Sequence, residues 1–239
     1  MMKLESQFKE LRLHGMAQSW QALTETRRHH ELSLTEGLEI LLQNENQHRH
    51  NNRFERLRRN AKFRYHASVE EIVYDGARGL DKSHIGELVT GEYISKGEAV
   101  LITGATGCGK SFLASALGHQ ACSQGFKVAY NNVQKLLLKT KMARADGSIY
   151  KLFEKLSKTD LLILDDFGLT NLEKQQQMDL LEIIEDRHAR KATIIASQLP
   201  VASWYHIIGE ETIADAILDR LVHTSHRIEL KGESLRKKV

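Results

Sequence analysis

The spacing of apolar positions changes partway along this chain. Up to about residue 66 they recur at helical intervals. Leu4, Phe8 and Leu11 fall at i, i+4 and i+7, and Met16, Trp20 and Leu23 repeat that spacing. Ser33-Leu34-Thr35-Glu36 has the form of a capping box, and Leu34, Leu38, Leu41 and Leu42 follow on one helical face. These positions are read as the core of a helical segment in preference to a partner groove.

From Val69 onward, short apolar runs alternate with helical stretches. Residues 99–103, 126–130, 161–165, 192–197 and 226–230 read as strands, and 112–117, 134–143, 174–187 and 212–222 as helices. Alternation of this kind predicts an α/β fold, a three-layer sandwich around a parallel five-stranded sheet with a small helical appendage. The expected division is an all-helical N-terminal domain, 1–66, and a second domain, 67–239.

Between the first strand and its helix lies Gly104-Ala105-Thr106-Gly107-Cys108-Gly109-Lys110-Ser111, which fits G-x-x-x-x-G-K-[ST]. Its glycines let several N–H groups turn toward one anion, and the helix that follows, from Phe112, adds a positive dipole end. Residues 104–112 are therefore the candidate nucleotide cradle. Lys110 is assigned to the β- and γ-phosphates and the Ser111 hydroxyl to Mg²⁺. The third apolar run ends in Asp165-Asp166, at the strand end where open α/β sheets hold ligands. Asp165 is the candidate metal ligand, and Asp166 the group that orients or deprotonates an attacking water. The motifs together predict a chain that binds and hydrolyses a nucleotide.

Charge separates the two parts further. The net charge of +3 hides 12 Lys/Arg against 8 Asp/Glu in residues 1–66, and 22 against 23 in the remainder. Arg49, Arg53, Arg56, Arg58, Arg59, Lys62 and Arg64 crowd one stretch with Glu55 as its single acid, and Phe54, Phe63 and Tyr65 interleave. Such a stretch suits double-stranded DNA, since each phosphate neutralised releases counterions; a solvated helix face or an acidic partner is the alternative. Two cysteines, Cys108 and Cys122, read as reduced thiols, and the histidines show no metal-ligand spacing. No stretch approaches the length of a membrane span, and the N-terminus lacks the apolar segment of a signal peptide, so a cytoplasmic protein with no membrane contact is expected.

Beyond the loop, four segments carry a resemblance: Leu161 to Gly168, Ser197-Gln198-Leu199-Pro200, Ala216 to His223, and Glu229 to Lys237. Through them the chain resembles the IstB-like transposition helper ATPases, within the helicase-loader clade of the AAA+ family that also holds DnaC. The resemblance implies a homo-oligomer with ATP at subunit interfaces, acting with a partner transposase on target DNA. A DnaC-like helicase loader is the alternative it leaves, and a small-molecule kinase is the alternative from the phosphate loop alone. Trp204 and the Gly-Glu-Ser-Leu-Arg ending favour the transposition family.

By the same resemblance the polar position at the end of the fourth strand falls on Ser197-Gln198, with Gln198 favoured over Ser197 as the contact to the γ-phosphate or its water. Arg220 is a finger acting on the neighbouring subunit's ATP, and Arg236 an arginine acting within its own subunit. Asn131 or Asn132 gates the catalytic acid. Arg220 could instead pair with Asp219 or Asp215, Arg236 could belong to a basic tail, and either Asn could be a turn residue. The clade's Asp-Asp pair replaces the more general Asp-Glu. The shorter second carboxylate implies slow, regulated turnover.

Overall fold

A computed structural model describes residues 4–235. The chain divides between Arg56 and Leu57 into two compact units. The first contains helices α1 (Leu4–Glu10) and α2 (His14–Glu25) and most of α3 (Leu34–Ala61). The capping box forms as read: Ser33 N donates to Glu36 Oε2 at 2.8 Å, and Glu36 N donates to Ser33 Oγ at 3.3 Å.

Packing of α3 on α2 uses a different stripe from the expected one. Gly15 sits so close to α3 that a Cβ there would lie 2.6 Å from Asn44 O. Beside it, the buried Glu45 carboxylate accepts from the backbone N–H groups of Gly15, at 2.8 Å, and Met16, at 3.2 Å. Met16, Leu23 and Leu41 form the small core, with Phe8, Leu13, Trp20, Leu32 and Ile40 against it. Because Leu41 and Glu45 face α2, the stripe one residue away points outward. Leu34 is 81% exposed, and Leu38 and Leu42 about half, so of the four leucines Leu41 alone is core.

The second unit is built on a five-stranded parallel sheet: β1 (Ala99–Gly104), β2 (Val128–Asn132), β3 (Leu161–Phe167), β4 (Ala192–Ser197) and β5 (Ser225–Leu230), in the order β2-β3-β4-β1-β5. The three inner strands are almost wholly buried, which is why their sequences read as unbroken apolar runs; the edge strand β5 alternates Ile228 and Leu230 with polar neighbours. The helices are α4 (Lys82–Val89), α5 (Glu92–Lys96), α6 (Lys110–Ser123), α7 (Val133–Ala145), α8 (Ile149–Ser157), α9 (Lys174–Arg187), α10 (Trp204–Ile208) and α11 (Glu211–Val222).

The second strand begins two residues later than its apolar run suggests. Gly125 takes φ +91° and Phe126 N bonds back to Ala121 O at 3.0 Å, so both still belong to the end of α6. Arg187, buried at the end of α9, ties three elements together: its guanidinium donates to Leu156 O at 2.6 Å, Thr159 O at 2.8 Å and Thr193 Oγ1 at 3.1 Å. No helix among the described residues is long and apolar enough to cross a membrane.

The unit division lies ten residues before the expected one because 57–66 pack with the sheet unit. Phe63 lies on α6, its ring 4.2 Å from that of His119 and so close to Gly118 that a Cβ there would meet it at 2.5 Å.

Candidate functional site

The phosphate loop joins the carboxyl end of β1 to α6, at the strand ends where open parallel sheets form ligand crevices. Gly107 is left-handed, at φ +84°, and the Ser234 side chain closes over it, so a side chain at 107 has neither the torsion nor the room. Leu235 N donates to Gly107 O at 3.0 Å, pinning the C-terminal segment onto the loop. Arg236 lies outside the described residues. The Lys110 ammonium is buried and folds back onto the loop, donating to Gly104 O at 2.7 Å and Ala105 O at 2.8 Å.

A break in strand register aims the two acids. Leu164 pairs with Ile195 and Phe167 with Ser197, so β3 spends one residue more than β4 across Asp165-Asp166. Asp166 takes φ +58°, a left-handed conformation that costs a non-glycine residue on the order of 1 kcal/mol and persists only under local constraint. The bulge leaves Asp165 1% exposed and Asp166 in the cleft. Asp165 Oδ1 accepts from Ser111 Oγ at 3.0 Å and from Asp166 N at 2.9 Å. Its other oxygen accepts from the Tyr130 hydroxyl. Burial, and then the adjoining carboxylate, push the Tyr130 phenol far above its ordinary range, so it stays a donor.

Asp166 Oδ2 accepts from Asn132 Nδ2 at 2.9 Å. Between the two asparagines left open by the sequence, Asn132 is therefore the one on the acid; Asn131 Oδ1 accepts from Lys139 at 3.4 Å. Asn132 also caps α7 through Lys135 N, at 3.2 Å, which fixes its orientation. At the end of β4, Ser197 is committed to Phe167 O and Leu199 N, whereas Gln198 Oε1 accepts from Thr106 Oγ1 of the loop at 2.8 Å. Of the two, Gln198 is thus the one tied to the loop, and Ser197 is buried.

Thr106, Lys110, Ser111, Asp166 and Gln198 line a cleft of about 400 Å³, closed by Arg64, Tyr65, Phe112 and Leu235, with Asp165 buried behind Asp166. Its donor set suits a magnesium nucleotide: a hydroxyl and a carboxylate 3.0 Å apart, a lysine, and a helix N-terminus. Magnesium usually takes only one or two protein carboxylates, the rest coming from phosphate and water.

Three placements differ from the sequence reading or go beyond it. Arg64, grouped with the cationic stretch, turns its guanidinium into the cleft, 3.0 Å from Asp166 Oδ2 and 3.6 Å from Asp165 Oδ2. Arg49 pairs with Glu45 at 2.6 Å, and Arg58 bonds His66 at 3.0 Å, while Arg53, Arg56, Arg59 and Lys62 are exposed. Arg220 stands at the opposite end of the sheet, beside Gly97, Lys191 and Thr193 at the strand starts. Its ion-pair partner is Glu185 of α9, at 2.5 Å, not Asp219 or Asp215. Tyr130 is the residue sequence reasoning missed. Its signal was position: it lies one strand period before Asn132, on the same face of β2.

A family model described as IstB-like ATP binding protein matches residues 6–239. A putative insertion-sequence ATP-binding protein of Sinorhizobium fredii is 45% identical over 94% of this chain and 92% of its own length. The putative ATP-binding protein of insertion sequence IS21 from Pseudomonas aeruginosa is 28% identical over 100% of this chain and 90% of its own. Among solved structures, the DnaC helicase loader superposes with a TM-score of 0.56 at 20% identity, over 74% of this chain and 99% of that one. The chain belongs to the IstB-like ATP-binding family of insertion sequences, on an AAA+ P-loop fold.

Proposed function

We propose that this protein is an ATP-hydrolysing helper of transposition, which assembles on double-stranded DNA with ATP and presents that DNA to a partner transposase. The observation that carries the reading is the Ser111–Asp165–Asp166 line above the phosphate loop, in a chain of an insertion-sequence ATP-binding family. Relatives named as insertion-sequence proteins support the transposase partner, and the cationic residues 49–62 support the DNA. A cytoplasmic location fits that work.

In this account Lys110 exchanges its two loop carbonyls for phosphate oxygens, and the α6 N-terminus adds its N–H groups. Ser111 and Asp165 would hold Mg²⁺, which would supply charge neutralisation at the phosphates. Tyr130 keeps Asp165 oriented. Asp166, steadied by Asn132, orients the attacking water or takes its proton, and Gln198 meets the γ-phosphate side of the cleft. Arg220 stands too far round the sheet to serve its own cleft, which supports action on a neighbouring subunit's ATP in a homo-oligomer. The family resemblance gives Arg236 a part in hydrolysis within its own subunit. Hydrolysis then releases the assembly.

Electron microscopy of the protein with duplex DNA, with and without ATP, tests this reading. ATP-dependent oligomers on DNA are expected; nucleotide-independent monomers on DNA would overturn it.

A further inference from the structure

The seven cations of residues 49–64 do not share one role. Arg64 is separated from the others by where its charge goes: the guanidinium lies across Asp165 Oδ2 and Asp166 Oδ2. Two carboxylates on consecutive residues repel each other unless a cation lies between them. Lys110, the other cation lining the cleft among the described residues, is turned to the carbonyls of Gly104 and Ala105. Arg64 therefore supplies the positive charge at this pair.

Its backbone is anchored on both sides. Phe63 packs on Gly118 and stacks on His119, and His119 Nε2 bonds Tyr65 O at 3.3 Å. Both anchors stand on α6, the helix that starts at Lys110. The side chain between them is held at the cleft, and it is 44% exposed, so solvent reaches it there. The same guanidinium also lies over the Tyr65 ring, its carbon 5.5 Å from the ring centre.

We propose that Arg64 is a placeholder cation: it neutralises Asp165 and Asp166 while the cleft lacks a metal nucleotide, and must withdraw from Asp165 when Mg²⁺ and ATP enter. This rests on the reading of the cleft as an ATP site. A divalent cation on Asp165 and a guanidinium 3.6 Å from the same carboxylate compete for one charge. Arg64 thereby sets the magnesium requirement of nucleotide binding, acting through Asp165 and Asp166 as a positioning residue.

The test titrates Mg²⁺ against full-length protein at fixed N-methylanthraniloyl-ATP and reads the Mg²⁺ concentration giving half-maximal binding. Arg64→Gln is expected to lower that midpoint roughly three- to tenfold, the discounted worth of a half-exposed charge-assisted bond. Arg64→Lys, which keeps the charge with a single-headed donor, falls between and decides the matter if the Gln variant does not fold. A midpoint that stays put or rises while the analogue still binds overturns the placeholder role. Wild-type protein that shows no magnesium-dependent binding at all instead removes the ATP-site reading, and the placeholder with it.

Discussion

The Ser111 hydroxyl donates to Asp165 Oδ1 across 3.0 Å, though the two residues stand 54 positions apart. One sits in the first turn of α6 and the other inside the bulge of β3, and the parallel sheet brings both to the same strand ends. A hydroxyl and a carboxylate at that separation can share a cation without moving the backbone.

Lys110→Ala should weaken ATP binding on the order of a hundredfold, since it removes the buried ammonium of the loop. Equilibrium binding of a fluorescent ATP analogue measures it. An affinity like that of the wild type would move the nucleotide site elsewhere.

Asp166→Asn should leave ATP binding close to normal and slow hydrolysis by two or more orders of magnitude, roughly the worth of a general base. Asp165 keeps its bonds to Ser111 and Tyr130 in this variant. Single-turnover hydrolysis of bound ATP is the measurement, and DNA-bound assemblies should persist longer. Unchanged turnover would take Asp166 out of the water-positioning role.

Much of this unit was readable from sequence. The helix 174–187 and the strand 192–197 lie where their apolar spacing puts them, because buried parallel strands and capped helices each leave a local signature. The phosphate loop and the acid pair were equally plain. What escaped was set by distant partners. Arg64 looks like its cationic neighbours until the fold brings β3 to it, and nothing local distinguishes Leu41 from Leu42 until Gly15 fixes which stripe of α3 meets α2. Asn132 could be chosen over Asn131 only once β2 was paired in register with β3, Asn132 opposite Asp165.

Truncations should separate the unit division from the boundary expected from sequence. Removing residues 1–56 should leave nucleotide binding nearly intact and weaken DNA binding, with a flatter salt dependence. Removing 1–66 also strips Phe63 from Gly118 and His119, and should cost about 3 kcal/mol of stability besides. Denaturant melts of the two truncations give the comparison; equal stability would return 57–66 to the front segment.

Glu45 ties the stability of the helical unit to pH. Burial raises its pKa, but Arg49 and the N–H groups of Met16 and Gly15 outweigh that and hold it below the ordinary Glu value. A depressed folded pKa means stabilisation that is fully present above the unfolded value, near 4.3, and lost as pH falls through the folded one. Glu45→Gln should therefore lower the helical melting transition at pH 7, with the gap to wild type closing as pH drops below about 4. Circular dichroism melts from pH 7 to pH 3 check this, and a gap independent of pH would contradict it.

If ATP is hydrolysed between subunits, Arg220 completes a neighbour's cleft. Arg220→Ala should bind ATP almost normally yet lose ATPase activity, although its ion pair with Glu185 lies far from its own phosphate loop. The most direct measurement mixes Arg220→Ala with Asp166→Asn subunits and assays ATP hydrolysis. Where an Arg220→Ala cleft faces the intact Arg220 of an Asp166→Asn subunit, acid and finger are both wild type. The mixture is predicted to exceed the activity of either variant alone. A mixture no more active than the separate variants, with mixed oligomers shown to form, would contradict hydrolysis between subunits and reduce Arg220 to its ion pair with Glu185.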